Sequence, residues 1–417
     1  MAVLIGAVAD DFTGATDVAS MLSRGGLATI LQLGRPAPDA APPEADAVVV
    51  ALKSRTAPVA EAVEDSLAAW RWMARAGARQ CYFKYCSTFD STDAGNIGPV
   101  TEALMAETGA LQTVYTPAFP ENGRSIYFGK LFVGDRLLSE SGMRNHPLTP
   151  MTDPDLTRVL VPQLSAAAAV GLVPWPVVRR GASAVTEALA ALAADGVAHT
   201  VVDGLEQADL DVLAQAVRDW PLVTAGSGLA LSLAGLLGTA AEPQALPAVG
   251  GPTLLLSGSC SEATNAQVAR WEAGGGATLR LDPLALAEGD APAVAAHIED
   301  ALAGRPTLLA ATQPPEKVRE AQARLGKERA AALVEDALAE AARTARSRGA
   351  KRFVVAGGET SGAVAKALRA ERLAVGPSIA PGVPWCATLG PDPIALALKS
   401  GNFGAETFFA DALGTAP

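Results

Sequence analysis

The sequence predicts an α/β protein of two domains, each with a mainly parallel sheet flanked by helices. Three observations carry this prediction. Short aliphatic and β-branched runs alternate with segments of helical periodicity from the first residues onward, the pattern of strands joined by helical crossovers. An aperiodic stretch rich in Pro and Gly, AAEPQALPAVGGP at 240–252, breaks the alternation in mid-chain. The alternation then starts again. The expected division is 1–240 for one domain, 241–252 for a linker and 253–417 for the other.

In chain order, residues 3–8 (VLIGAV) form a continuous apolar run suited to a parallel strand buried on both faces. Residues 13–24 read as a helix stopped by Gly25-Gly26. Residues 48–52 repeat the strand pattern, and Val63, Leu67, Trp70 and Ala74 give the next helix its apolar stripe. Further strands are expected at 81–85 and 113–115. Residues 127–154, with Gly129, Gly134, Gly142, Pro147 and Pro150, read as a functional insertion: a hairpin plus an ordered loop. Short strands follow at 201–202 and 222–223, and Gly226-Ser227-Gly228 opens a helix of small residues. Beyond the linker come strands at 253–256, 278–281, 307–310 and 352–356, with helices at 262–273 and 326–349. The last of these helices carries Arg343, Arg346 and Arg348 near its C-terminus, where cations favour the helix dipole.

A chain of 417 residues that is 49% hydrophobic is long enough for two cores. Its net charge of -11 disfavours a nucleic-acid partner, although a few local cations can still hold a small anion. The four cysteines, Cys81, Cys86, Cys260 and Cys386, have no C-x-x-C spacing and suit a reducing compartment. The start MAVLIGAVADD lacks the basic region of a signal peptide, and there is no apolar run of membrane-spanning length. A cytoplasmic protein without membrane or nucleic-acid partners is expected; a homo-oligomer is left open.

Several segments could carry chemistry. ADDFTGATD (9–17) places Asp10 and Asp11 at the end of the first strand, where ligands bind in open α/β sheets. Side-chain alternation puts the two acids on opposite faces, with different tasks. One could orient a hydroxyl or take its proton; the other could hold Mg2+ or cap the helix. A simple cap by Asp11 or Thr13 would also explain the pattern. KYCSTFDST (84–92) offers Lys84 to a carboxylate and Ser87, Thr88 and Asp90 to hydroxyls, or is a capped turn leading to Asn96. Arg55, after the strand ending at Leu52, suits bidentate carboxylate recognition. In the insertion, Arg144 and His146 lie in the loop of densest polar chemistry, whereas His199 and His297 suit structural or surface roles. In the second half, LSGSCS (256–261) and GGETSG (357–362) each join a strand to a helix through small residues that let backbone N–H groups approach phosphate. Gly401 and Gly404 supply a further turn. Two ordinary helix starts would explain either turn singly. No P-loop, strand-linked G-x-G-x-x-G, H-E-x-x-H or G-x-S-x-G occurs.

ADDFTGATD, KYCSTFDST with the following GNIGP (95–99), and GGETSG, in this order over nearly the whole chain, resemble the four-carbon acid sugar kinases. Residues 116–154 are similar to the 3-oxo-tetronate kinase branch of that family, although Lys130 stands where related loops carry histidine. The resemblance implies an N-terminal acid-sugar domain and a C-terminal nucleotide domain, with ATP and Mg2+ as cofactors. It implies that Ser257 or Ser259, Gly357, Gly358, Glu359, Thr360 and Gly401 contact ATP. It assigns the sugar to Asp10, Asp11, Arg55, Lys84 and the Ser87, Thr88, Asp90 loop, with Asp11, or else Asp10, as base. Competing expectations are a D-threonate or D-erythronate kinase, an NAD-dependent or lyase enzyme on the same sugars, and a non-catalytic two-lobed binding protein. The missing dinucleotide fingerprint weighs against the NAD enzyme.

Overall fold

The computed structural model describes residues 3–146, 149–165, 168–238, 246–289 and 294–417. The chain divides into two compact units, Met1–Gln244 and Ala245–Pro417. Residues 241–245 of the expected linker lie outside the described residues.

The strands of the first unit are β1 (Ile5–Ala9), β2 (Thr29–Leu33), β3 (Ala47–Ala51), β4 (Gln80–Lys84), β5 (Thr113–Thr116), β6 (Arg124–Tyr127), β7 (Lys130–Val133), β8 (Arg136–Leu137), β9 (Val170–Val173), β10 (His199–Val202) and β11 (Leu222–Ala225). Eight of them form an all-parallel run, β2-β3-β1-β4-β11-β5-β10-β9. Every residue of β1, β3, β4, β5, β10 and β11 is buried, as a sheet covered by helices on both faces requires. Helix Phe12–Arg24 begins where β1 ends, Val59–Arg75 and Ile97–Thr108 supply further crossovers, and Gly228–Leu237 follows the last strand of the unit.

The second unit holds β12 (Thr253–Ser257), β13 (Ala277–Arg280), β14 (Thr307–Ala310), β15 (Arg352–Ala356), β16 (Arg372–Ala380), β17 (Val383–Thr388) and β18 (Ala395–Lys399). Their order is β13-β14-β12-β15-β18-β17-β16, parallel as far as β18 and antiparallel at β17 and β16. One core joins Leu255, Val268, Leu308, Val354, Trp385, Ala397 and Phe408. The long helix is Lys327–Ser347.

The sequence reading passes over β2, β9 and the three strands β16 to β18. β2 (TILQL) and β9 (VGLV) are short, at five and four residues, and β9 runs out of an alanine-rich stretch with no turn signal before it. β16 carries Gly376 and Pro377, residues that count against a strand by propensity. The insertion also starts earlier than its glycines suggest. β6, β7 and β8 form a small antiparallel sheet from Arg124, turning through Phe128 and Gly129, both at positive φ (48° and 72°). Two left-handed residues are what a tight hairpin needs.

Candidate functional site

In the first unit the sheet order reverses around β1, and such a switch point leaves a crevice at the strand ends. Register pairs Ala9 with both Ala51 of β3 and Lys84 of β4. Beyond the strand, Asp10 N–H donates to Lys84 O (3.1 Å), and Asp10 O accepts from the N–H groups of Ser54 (3.0 Å) and Arg55 (3.2 Å). Three expected segments therefore meet because their strands are neighbours.

Arg55 organises the cluster. Its Nε donates to Asp10 Oδ2 (2.9 Å), while Nη2 donates to Asp10 Oδ1 (2.8 Å) and Asp11 Oδ1 (2.7 Å). Its Nη1 lies 3.9 Å from Asp90 Oδ2. The expectation that the two acids face opposite ways is incorrect. β1 ends at Ala9, so strand alternation does not extend to them, and both turn to one guanidinium. They still differ. The Asp10 side chain is 6% exposed and held bidentately, whereas that of Asp11 is 25% exposed. Burial raises the Asp10 pKa against the pull of Arg55. Asp11 also suffers desolvation, but Arg55, Lys84, Thr13 and Gly14 together hold its pKa below the ordinary value. Asp11 is the helix cap as well: Gly14 N–H donates to Oδ1 (3.0 Å) and Thr13 Oγ1 to Oδ2 (2.8 Å). Cap and charged-cluster readings both hold for it.

Lys84 is 2% exposed and donates from Nζ to Tyr85 O (2.7 Å). A Cβ on Gly14 would stand 2.3 Å from Asp11 Oδ1 and 3.0 Å from Lys84 Nζ, so the glycine lets the first helical turn pass over both charges. Ser87, Thr88 and Asp90 are all buried, and Thr88 Oγ1 donates to Asp90 Oδ1 (2.6 Å). Between them Phe89 adopts φ 53°, a strained position for a side-chain-bearing residue, held by edge-on packing against Tyr85 at 5.1 Å. Asn96 Nδ2 donates to Ser54 O (2.6 Å) and Ala57 O (2.9 Å), fixing the turn that presents Arg55. This gives the GNIGP motif a positioning task that the sequence alone does not reveal.

Asp17, the last acid of ADDFTGATD, is 2% exposed and accepts from Ser227 Oγ (2.6 Å) through Oδ2. Its Oδ1 is buried without a hydrogen-bond partner. Burial pushes its pKa up from 3.8 to about 6, against the pull of Lys84 and Ser227. Between these values the folded chain binds the proton that the unfolded chain releases, so stability falls as pH rises through that window. Asp17→Asn should match the wild type near pH 4 and exceed it at pH 8 by on the order of 1–3 kcal/mol in urea unfolding. Lower stability at pH 8 would mean that attraction to Lys84 outweighs desolvation.

The insertion is tied down by Asp203, which is fully buried and was not anticipated. It accepts from the N–H groups of Phe128 (2.5 Å), Gly129 (2.8 Å) and Trp175 (2.8 Å). Arg144 and His146 make local contacts. Exposed Arg144 donates from Nη1 to Ser139 O (3.3 Å), and His146 Nδ1 meets Thr149 Oγ1 (2.9 Å). These contacts do not join them to the Arg55 cluster. His199 packs inside and meets Tyr115 OH through Nδ1 (2.8 Å).

In the second unit the register aligns Ser257 with Ala310 and Ala356, and Ala356 with Lys399, so the turns after β12, β15 and β18 open from one row. Gly258 N–H and Ser259 N–H both donate to Ala356 O (2.9 and 3.2 Å). A Cβ on Gly258 would lie 2.0 Å from Thr360 Oγ1, and one on Gly401 2.5 Å from Ser259 Oγ. Gly357 has φ 129°, open only to glycine, and leads into helix Gly358–Ala367, on which Glu359 is exposed and Thr360 buried. Ser257 Oγ is engaged by Thr312 Oγ1 at 2.6 Å and is wholly buried, whereas Ser259 is partly exposed. Ser259 Oγ donates to Ser261 Oγ and accepts from Ser261 N–H, both at 3.3 Å. Ser361 Oγ is buried without a partner, and helix N-termini stand at Glu262 and Gly358. Turns of this kind suit an anion such as phosphate.

One unit gathers buried charges at its strand ends, and the other presents glycine-rich turns at helix N-termini. Residues 5–233 match the family of sugar-binding N-terminal domains, and residues 254–409 match that of nucleotide-binding C-terminal domains. The chain is 54% identical to the 3-oxo-tetronate kinase of Cupriavidus necator, over 98% of this chain and 96% of that one. It is 52% identical to the 3-oxo-tetronate kinase of Burkholderia multivorans, with the same coverage. The crystal structure of a Haemophilus influenzae protein superposes with a TM-score of 0.80 at 44% identity, over 99% of this chain and 100% of that one. The chain belongs to the four-carbon acid sugar kinase family.

Proposed function

We propose that the protein transfers the γ-phosphoryl group of ATP to the 4-hydroxyl of 3-oxo-tetronate, giving 3-oxo-tetronate 4-phosphate and ADP. The observation that carries the substrate is the 54% identity over 98% of the chain to a 3-oxo-tetronate kinase. The cluster around Arg55 carries the division of labour. Phosphoryl transfer depends on alignment and charge neutralisation more than on covalent chemistry. Asp11, ionised and partly reachable, orients the acceptor hydroxyl and takes its proton. Asp10 anchors the guanidinium that keeps Asp11 charged. Lys84, Arg55 Nη1 and the Ser87, Thr88, Asp90 loop hold the carboxylate and hydroxyls of the sugar, with Arg144 and His146 assigned to its outer edge. Ser259, Gly357, Gly358, Glu359, Thr360 and Gly401 hold ATP; Ser257 backs them from beneath.

The nucleotide turns fit phosphate through their glycines, the unpartnered Ser361 hydroxyl and two helix N-termini. Mg2+ would offset the phosphate charge. Among the described residues no group of three or more His, Cys, Asp or Glu side chains is arranged to hold a metal, so phosphate oxygens and water would supply most of its shell. ADP release with 3-oxo-tetronate, D-threonate and D-erythronate, measured side by side, tests the reading. The first should be preferred; preference for either of the others moves the substrate, and no ADP with any of them overturns the kinase.

A further inference from the structure

Two lysines end strands as wholly buried side chains: Lys84 in the first unit and Lys399 in the second. No sequence motif marks Lys399. Its Nζ donates to Thr264 Oγ1 (3.1 Å), Ser400 O (2.9 Å) and Gly401 O (3.0 Å), which uses all three ammonium hydrogens. Gly401 O accepts from two further donors, Ser261 Oγ (2.6 Å) and Thr264 Oγ1 (2.8 Å). Ser261 is also the cap of helix Glu262–Ala273, accepting from Thr264 N–H at 3.2 Å. On the backbone side, Lys399 O accepts from Gly357 N–H (2.8 Å). The turns at Ser259, Gly357 and Gly401 are thus tied together through one residue.

We infer that Lys399 is a positioning residue of the nucleotide site, gathering the Gly401 turn, the cap of helix Glu262–Ala273 and the Gly357 turn into the one arrangement that accepts the phosphates of ATP. The inference rests on the nucleotide reading given above. A purely structural role is a poor explanation of a buried ammonium. No carboxylate among the described residues pairs with it; Phe408 offers only its ring face, at 5.6 Å. Desolvation accordingly pushes its pKa down to about 7. An apolar side chain of similar length would fill the same space without that penalty. What such a side chain cannot do is hold the carbonyls of Ser400 and Gly401 together.

Lys399→Met therefore separates the two roles. In the full-length protein its thermal transition without ligand should lie within a few degrees of the wild type. ADP affinity by calorimetry should fall at least ~10-fold, and KM for ATP should rise to match, as loss of a charge-assisted hydrogen-bond network implies. KM for the acid sugar should change less than about 2-fold, since uniform binding is lost on the nucleotide side only. Should that variant fail to fold, Thr264→Val removes one acceptor of Lys399 and one donor to Gly401 O, and should weaken ADP several-fold. Gly258→Ala serves as the control, because its Cβ would meet Thr360 at the neighbouring turn. Weakened ADP in Gly258→Ala with wild-type affinity in Lys399→Met, or in Thr264→Val if only that variant folds, overturns the role of Lys399 alone. Failure of the wild-type protein to bind ADP overturns the nucleotide reading, and wild-type affinity in both variants places ADP away from these turns; either outcome overturns this inference.

Discussion

Arg55→Met should destabilise the first unit by about 3–5 kcal/mol, the cost of removing one partner from a buried ion pair. That is a large part of the roughly 5–15 kcal/mol by which a folded protein is stable. Three donor contacts to two carboxylates vanish at once. Asp10, 6% exposed at its side chain, cannot turn to water instead. The loss should depend on pH. With the guanidinium gone, burial and mutual repulsion raise the Asp10 pKa further and Asp11 loses the main attraction that holds its pKa low, so the variant holds protons that its unfolded chain releases. It should be worst at pH 8 and partly recover near pH 5. Urea unfolding at the two values checks this, and adding Asp10→Asn to the variant should restore part of the deficit at pH 8. A deficit below about 1 kcal/mol at both values would mean that the cluster is solvated as a surface pair would be.

Asp11→Asn should cost 10²- to 10⁴-fold in kcat, the usual contribution of a general base, with KM for ATP little changed. The fold should survive. An asparagine oxygen can still accept from Gly14 N–H, and Asn is among the preferred helix caps. The substitution removes the negative charge that Arg55, Lys84, Thr13 and Gly14 maintain at that position. Steady-state kinetics with each substrate varied in turn separates the two effects. Turnover within a few-fold of the wild type would move the base to Asp10 or to Asp90, whose carboxylate is buried beside Thr88.

The chain order of buried runs was enough to derive a mainly parallel α/β architecture, because a parallel strand covered on both faces must be apolar along its length. Helix Glu262–Ala273 and strands β14 and β15 lie where periodicity places them. The candidate segments were legible for a related reason: small and charged residues at strand ends depart from the apolar pattern around them. Strand β16 was not legible, since pairing in a sheet overrides the local propensities of Gly376 and Pro377. Nor could residue order show which segments are neighbours. Asp10, Arg55 and Lys84 meet because the sheet order sets β3 and β4 on either side of β1. The same tertiary arrangement decided that both aspartates face one guanidinium, that Asp203 holds the hairpin turn and that Lys399 joins three turns. The sequence by itself determined which residues depart from the apolar pattern. Only the tertiary structure decided which of them share a charge or a carbonyl, because ion pairs and hydrogen bonds act over a few ångströms of space, whatever their separation along the chain.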